Sequence, residues 1–200
     1  MKFVFDAKSA QLTWAREKDQ QDPLRSFRDQ FCFPVESNGE KQIYFAGHSL
    51  GLMPKKTQEY IQTELESWKK YGVEGHFEGP HPWLPYHENI TQSFARLVGA
   101  KPTEVVAMNS LTVNLHLAMV SFYRPTKNKN KILIEQHAFP SDKYAVDSQA
   151  RFHGYNAQDT VVELKPKSGG MIFSEDDMLE QISALKDQTA LVMLGNCNYL

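Results

Sequence analysis

Val105-Val106-Ala107-Met108-Asn109-Ser110-Leu111-Thr112-Val113-Asn114-Leu115-His116 is the stretch whose reading decides the fold. Its first four residues are apolar and read as a short buried strand. Leu111, Leu115 and Ala118, with Val113, Leu117 and Val120 beside them, read as a helix that is apolar around most of its circumference. Asn109 and Ser110 between the two suit a capped helix start. A strand that feeds a helix through so short a turn aims free backbone N–H groups, and the positive end of the helix dipole, at one spot outside the sheet. Such a spot takes anions, phosphate above all. An ordinary capped helix has the same local look, so the surrounding chain has to weigh in.

Downstream, strands and helices alternate. Lys131-Ile132-Leu133-Ile134-Glu135 reads as a second buried strand, and a helix follows from Phe139-Pro140-Ser141-Asp142 to about Phe152, with Gly154 placed to cap it. Residues 160–164 read as a third strand. Ser174-Glu175-Asp176-Asp177 opens a helix as a capping box with Asp in the Glu position, and residues 189–194 read as a fourth strand. This alternation predicts an α/β fold with a mainly parallel sheet and right-handed crossovers. Ligands of such sheets bind beyond the carboxyl ends of the strands. Both Ser110-Leu111-Thr112 and residues 139–142 follow strand ends, so one crevice can receive them.

Upstream, residues 8–20 are charged and helix-forming. Leu24, Phe27 and Phe31 then recur at helical spacing, as an arm packing on a neighbour or a second domain would. Ile43-Tyr44-Phe45 reads as a short strand leading into Ala46-Gly47-His48-Ser49-Leu50-Gly51-Leu52-Met53-Pro54, whose two glycines permit a tight path and close approach of a ligand. Pro54 opens a long amphipathic helix with Tyr60, Ile61, Leu65 and Trp68 marking its inner side. Gly75-His76-Phe77-Glu78-Gly79-Pro80-His81-Pro82-Trp83 has the composition of an irregular ordered loop, and a helix over about residues 86–97 is closed by Gly99.

The 200 residues can bury a sizeable core, and 41% apolar with 23% charged residues is a soluble globular composition. A net charge of −2 offers no field for nucleic acid or anionic lipid. Cys32 and Cys197 match no metal or redox spacing and read as reduced, buried thiols. His76, His81 and His87 lack a ligand spacing fixed on one helix face, so no metal is expected. The first eight residues are too short for a signal-peptide core and no apolar run spans a membrane, which gives the expectation of a cytoplasmic protein. There is no G-x-G-x-x-G, P-loop or G-x-S-x-G.

Three segments together carry a family likeness: residues 44–52, residues 108–116, and Ala138-Phe139-Pro140-Ser141-Asp142-Lys143-Tyr144-Ala145. In this order and spacing they resemble kynureninase, a family of pyridoxal 5'-phosphate (PLP) enzymes with the aspartate-aminotransferase-like fold (fold type I, PLP-dependent transferase-like). The likeness runs from about Asp22 to the end of the chain. It implies hydrolysis of L-kynurenine, and of 3-hydroxykynurenine, to anthranilate or 3-hydroxyanthranilate and L-alanine, by a homodimer whose active site lies at the subunit interface. It further implies residues 1–53 as a helical arm with a substrate-side turn, and residues 54–200 as the first part of the large PLP-binding domain.

Residue by residue, the resemblance places Leu111 and Thr112 in the phosphate-binding turn and Phe139, with Pro140 and Ser141 behind it, against the cofactor ring. It places Asp142 on the pyridine side, where a carboxylate favours a positive, electron-accepting ring. Ser49 and His76 border the substrate, His76 near its aromatic ring. Each residue also has a plainer reading: Phe139 as core, Asp142 as a helix cap, Ser49 as a turn residue, His76 as a hydrogen-bonded loop histidine. Two positions depart from the family. His48 stands where asparagine is usual, and Gly195 where relatives can carry a serine that touches the cofactor. The family's Schiff-base lysine and the arginine that grips the substrate carboxylate belong beyond Leu200, and neither Lys131 nor Lys143 lies in that lysine's motif. The expectation is therefore an N-terminal fragment of a longer chain, inactive alone. Other fold-type I PLP enzymes, such as a cysteine desulfurase or an aminotransferase, and a non-catalytic remnant share much of this pattern.

Overall fold

The computed structural model describes residues 9–167, 170 and 172–195. Cys197 and the first eight residues, on which readings were made above, lie outside the described residues. The chain divides into two compact units, residues 1–86 and 87–200.

In the second unit, the run Lys-Ile-Leu-Ile-Glu forms β1 (Lys131–Glu135), and Ile132, Leu133 and Ile134 are fully buried. A strand apolar on both faces needs cover on both, which is why it reads as a continuous run. β2 (Val161–Leu164) and β3 (Thr189–Met193) flank it in the order β2-β1-β3, both parallel to β1. Ile132 faces Val161 on one side and Leu191 on the other, with an irregularity between Lys131 and Ile132 on the β3 side. Parallel neighbours require crossovers. α5 (Pro140–Phe152) and the single turn α6 (Ala157–Thr160) make the first, and α7 (Glu175–Ala184) lies on the second. α3 (Glu88–Val98) and α4 (Leu111–Phe122) precede the sheet. Met119 and Tyr123 from the end of α4 join Val146 and Ala150 of α5 over Ile132, Ile134 and Val161. The Tyr123 hydroxyl donates to the Asn130 carbonyl at 2.7 Å, and burial pushes its pKa up to about 12.

The helix boundaries follow their local signals. Gly99 and Gly154 end α3 and α5 in the left-handed region, at φ 69° and 81°. The Ser174 hydroxyl accepts the Asp177 N–H at 3.1 Å, so the capping residue was read correctly.

Residues 105–108 depart from expectation. They are extended but belong to no strand, and Val106 and Met108 are each 56% exposed. A strand is defined by the ladder beside it, and among the described residues none runs alongside this segment.

The first unit contains α1 (Leu12–Gln21), α2 (Thr57–Tyr71) and 3-10 segments at Arg25–Gln30 and Gly72–His76. Only Ser67 and Gly75 are buried among its described residues, so the core foreseen for the chain belongs to the second unit. Ile43-Tyr44-Phe45 forms no strand for the same lack of a ladder, with Ile43 and Phe45 largely exposed. Phe27 lies in a 3-10 segment rather than an α-helix, with Leu24 and Phe31 at its two ends, and all three remain exposed. α2 begins at Thr57, three residues after Pro54. Its Tyr60, Ile61, Leu65 and Trp68 are about half exposed or more, because no described element of this unit covers that side. Cys32 is a partly exposed free thiol, not a buried one.

Candidate functional site

Two helix starts lie at one end of the sheet. α4 leads through residues 123–130 into the amino end of β1, and α5 departs from the carboxyl end of β1 through residues 136–139. The two helices pack on each other, so both present their N-termini beyond the carboxyl ends of the strands. Leu111 and Thr112 on α4 and Phe139, Pro140, Ser141 and Asp142 on α5 are thus brought to one side of the second unit.

At the start of α4, Ser110 occupies the N-cap in extended conformation, but its side chain accepts none of the helix's N–H groups. Asn114, one turn in, does the fastening instead. Its Oδ1 accepts the Asn109 N–H at 3.1 Å and its Nδ2 donates to the Asn109 carbonyl at 2.9 Å. The Asn114 N–H closes the first helical bond on the Ser110 carbonyl at 2.9 Å. The N–H groups of Leu111, Thr112 and Val113 precede any intrahelical acceptor. With Ser110, Leu111 and Thr112 all exposed, an anion has open access to them and to the Thr112 hydroxyl.

At the start of α5, Phe139 holds the N-cap position and is 55% exposed. Pro140 supplies a fixed φ in the first turn. Asp142 lies in that turn, its N–H donating to the Phe139 carbonyl at 2.9 Å and its Oδ1 accepting from the Ser141 hydroxyl at 3.3 Å. The Asp142 carboxylate caps no backbone N–H of α5. Between β1 and α5 the chain turns through His137, which adopts φ 62°, an uncommon conformation outside glycine. Glu135, at the end of β1, has its pKa raised by burial and then by the charge of Asp142. The two lysines named in the sequence, Lys143 on α5 and Lys131 at the far end of β1, are committed elsewhere. Lys143 pairs with Glu163 at 3.3 Å and Asp147 at 3.7 Å, and Lys131 donates to the Asp159 carbonyl.

Ser49 and His76 both belong to the first unit. The Ser49 and Leu50 N–H groups donate to the Ala46 carbonyl at 3.0 and 3.1 Å, and the Tyr44 hydroxyl donates to the Leu50 carbonyl at 2.6 Å. Neither Gly47 nor Gly51 has a positive φ, so the path does not depend on glycine as expected, though the space beside both is open. A groove of about 490 Å³ lined by Phe33, Tyr44, Leu50, Leu52 and Met53 runs along this turn.

His76 is held by its loop. Its Nδ1 lies 2.9 Å from the Val73 carbonyl, which can only accept, so Nδ1 carries a proton and Nε2 is the nitrogen left for a further partner. The Trp83 ring stands across it at 5.4 Å between centroids and 77° between planes. Trp83 in turn lies against Gly75, where an added Cβ would come within 2.7 Å of the indole. The Trp83 Nε1–H donates to Glu64 Oε2 at 2.9 Å, and the Tyr86 hydroxyl to Glu64 Oε1 at 3.3 Å. Burial, then the Glu64 carboxylate, raises the Tyr86 phenol pKa.

Three supporting residues went unread in the sequence: Asn114, Tyr44 and Glu64. Each left a signal. Asn109 and Asn114 recur five apart across the turn, Tyr44 precedes a two-glycine segment, and Glu64 interrupts the apolar series of α2. Among the described residues no cluster of three metal-ligating side chains occurs, and no helix is long and apolar enough to cross a membrane.

No family model matches the chain. Full-length relatives do. It is 57% identical over 188 residues to the kynureninase of Myxococcus xanthus, covering 94% of this chain and 44% of that protein. It is 51% identical over 186 residues to that of Koribacter versatilis, again covering 44% of the relative. To the kynureninase of Salinispora tropica it is 52% identical over 188 residues, covering 43%. The chain therefore spans less than half the length of the curated relatives it matches. At this level of identity, across nearly all of its residues, the chain is similar to a part of these kynureninases that is less than half their length.

Proposed function

We propose that this chain forms the phosphate and ring side of a PLP-dependent kynureninase, a hydrolase that cleaves the Cβ–Cγ bond of L-kynurenine, and of 3-hydroxykynurenine, with water to give anthranilate or 3-hydroxyanthranilate and L-alanine. The observation that carries the reading is the pair of helix starts at one end of the sheet in a kynureninase homologue, one offering uncapped donors and the other an aromatic ring and a carboxylate. That donor set fits the cofactor. The N–H groups at the start of α4 and the Thr112 hydroxyl suit a dianionic phosphate, the exposed Phe139 ring suits a flat conjugated face, and Asp142 suits a protonated pyridine nitrogen. When bound, PLP supplies the electron sink for charge developing at the substrate α-carbon.

The chain's own residues bind and orient. Leu111 and Thr112 hold the phosphate by the backbone, with Asn114 keeping the turn in place. Pro140 and Ser141 shape the start of α5, and Ser141 donates to Asp142, leaving the carboxylate's second oxygen for the ring nitrogen. His76, with Nδ1 occupied, offers Nε2 as an acceptor to the amino group or 3-hydroxyl on the substrate's aromatic ring, and Ser49 borders the same substrate. The lysine that joins the cofactor lies beyond position 200 in this reading. Residues 1–53 then form the arm and substrate-side turn, and residues 54–200 the first part of the large domain. The exposed Leu24, Phe27 and Phe31 support a homodimer contact along the arm. The setting is cytoplasmic, within tryptophan breakdown or NAD synthesis.

The test is made on a protein of kynureninase length, loaded with PLP and assayed for fluorescent anthranilate. Thr112→Ala is expected to weaken PLP affinity roughly tenfold while keeping most of kcat at saturating cofactor. Asp142→Ala is expected to lower kcat at least ~100-fold. PLP binding without anthranilate release from the unmutated protein would move the reading to another PLP reaction.

A further inference from the structure

Resting on the assignment of His76 to the substrate side, we propose that Glu64 is the positioning residue for His76: its carboxylate straps Trp83 and Tyr86 to α2, and the strapped indole fixes the imidazole that meets the substrate's aromatic end. Glu64 is the only acidic residue of α2 to which the loop's aromatic donors bond, and it engages both, one through each oxygen. A carboxylate is acceptor-only, so two donors from one loop satisfy it without competition. The bonds are charge-assisted, and the one from Trp83 is partly shielded from water.

The strap continues to His76 by contact. The Trp83 N–H donates to the Gly75 carbonyl at 3.1 Å and the Leu84 N–H to the His76 carbonyl at 3.1 Å, so the loop's two limbs are tied at its neck. Gly75 lets the indole lie flush against the backbone next to His76. Freed from Glu64, Trp83 keeps its backbone bond but loses what sets its side-chain rotamer, and with it the wall at 5.4 Å that limits rotation of the imidazole. The Val73 bond alone then leaves the ring free to turn about its Nδ1–O axis. Glu64 touches neither substrate nor cofactor in this scheme, so its loss acts on how well His76 meets the substrate.

Four variants of the PLP-loaded protein of kynureninase length decide it: Glu64→Ala, Glu64→Gln, His76→Ala and the Glu64→Ala/His76→Ala double. Glu64→Ala is expected to raise KM for L-kynurenine about fivefold with kcat within about twofold. Glu64→Gln keeps one acceptor for Trp83 but turns an amide N–H₂ on the other donor, and is expected to raise KM only about twofold. The double variant should be no worse than His76→Ala, since a strap that works through His76 has nothing left to position. Multiplying effects, or an unchanged KM in Glu64→Ala where His76→Ala raises it, would overturn the proposal.

The mobility of the His76 imidazole, read on the same proteins as the order parameter of its Cδ2–H bond, separates this from the reading beneath it. Glu64→Ala is expected to lower that order parameter while Nδ1 keeps its bond to the Val73 carbonyl. If it falls while His76→Ala leaves KM untouched, the substrate-side assignment fails and the strap stands. If it is unchanged, the strap fails. Should Glu64→Ala not fold, Trp83→Phe, which removes the indole's bond to Glu64 and keeps an aromatic ring, gives the comparison in its place.

Discussion

Glu135 shows how a single carboxyl records its surroundings. Its pKa lies above the ordinary 4.5 because burial disfavours the charge and Asp142 repels it. A carboxyl whose folded-state pKa is raised binds its proton more tightly in the native chain than in the unfolded one. Stability then falls as pH rises from the unfolded value through the folded value, and below that window both states are protonated and the cost is gone. Glu135→Gln, which keeps the shape without the charge, is expected to raise Tm by roughly 1–3 °C at pH 7 and to leave it unchanged near pH 4. Scanning calorimetry at the two pH values checks this. An equal gain at both would place the effect in packing instead of ionisation.

Among the elements, α4 and the segment before it show what a sequence does and does not carry. Lys131-Ile132-Leu133-Ile134-Glu135 was read to the residue as β1, because an apolar run between charged ends names both its burial and its limits. Residues 105–108 and 43–45 have similar apolar character and are not strands, since pairing depends on a neighbour that no local pattern encodes. The start of α4 was placed correctly at Leu111, while the group that fastens it was not. Ser110 has the right chemistry for a cap, yet the bonds come from Asn114 reaching back along the turn. Both helix starts were legible because helix starts have signatures. Glu64 was hidden because a lone carboxylate in an apolar series announces only an exception. Asn114→Ala removes both bonds to Asn109 and is expected to destabilise by about 1 kcal/mol and to weaken PLP binding several-fold. Urea unfolding and a cofactor titration measure the two effects. A stability loss without a change in PLP affinity would detach the turn from phosphate binding.

Across the molecule, apolar surface lies open in both units. On α4, Leu111, Val113, Leu117 and Val120 are between 46% and 72% exposed, and on α2 Tyr60, Ile61, Leu65 and Trp68 are comparably uncovered. Patches of this size are rare on a free-standing monomer. A polypeptide of these 200 residues alone is expected to bind the dye ANS strongly and to sediment faster than a monomer. Leu117→Lys with Val120→Glu should reduce the dye signal severalfold. The protein of kynureninase length should give little. A dye-silent monomer of the short chain would overturn the reading of these faces as open.

The central place of β1 also sets a timetable on the ribosome. It is the first of the three strands to be synthesised, and its second neighbour, β3, is finished some sixty residues later. At ~5–20 residues per second that interval lasts roughly 3–12 s. For that time the most deeply buried of the three strands has an unpaired edge while the polypeptide is still growing, and whatever binds nascent chains has its clearest target there.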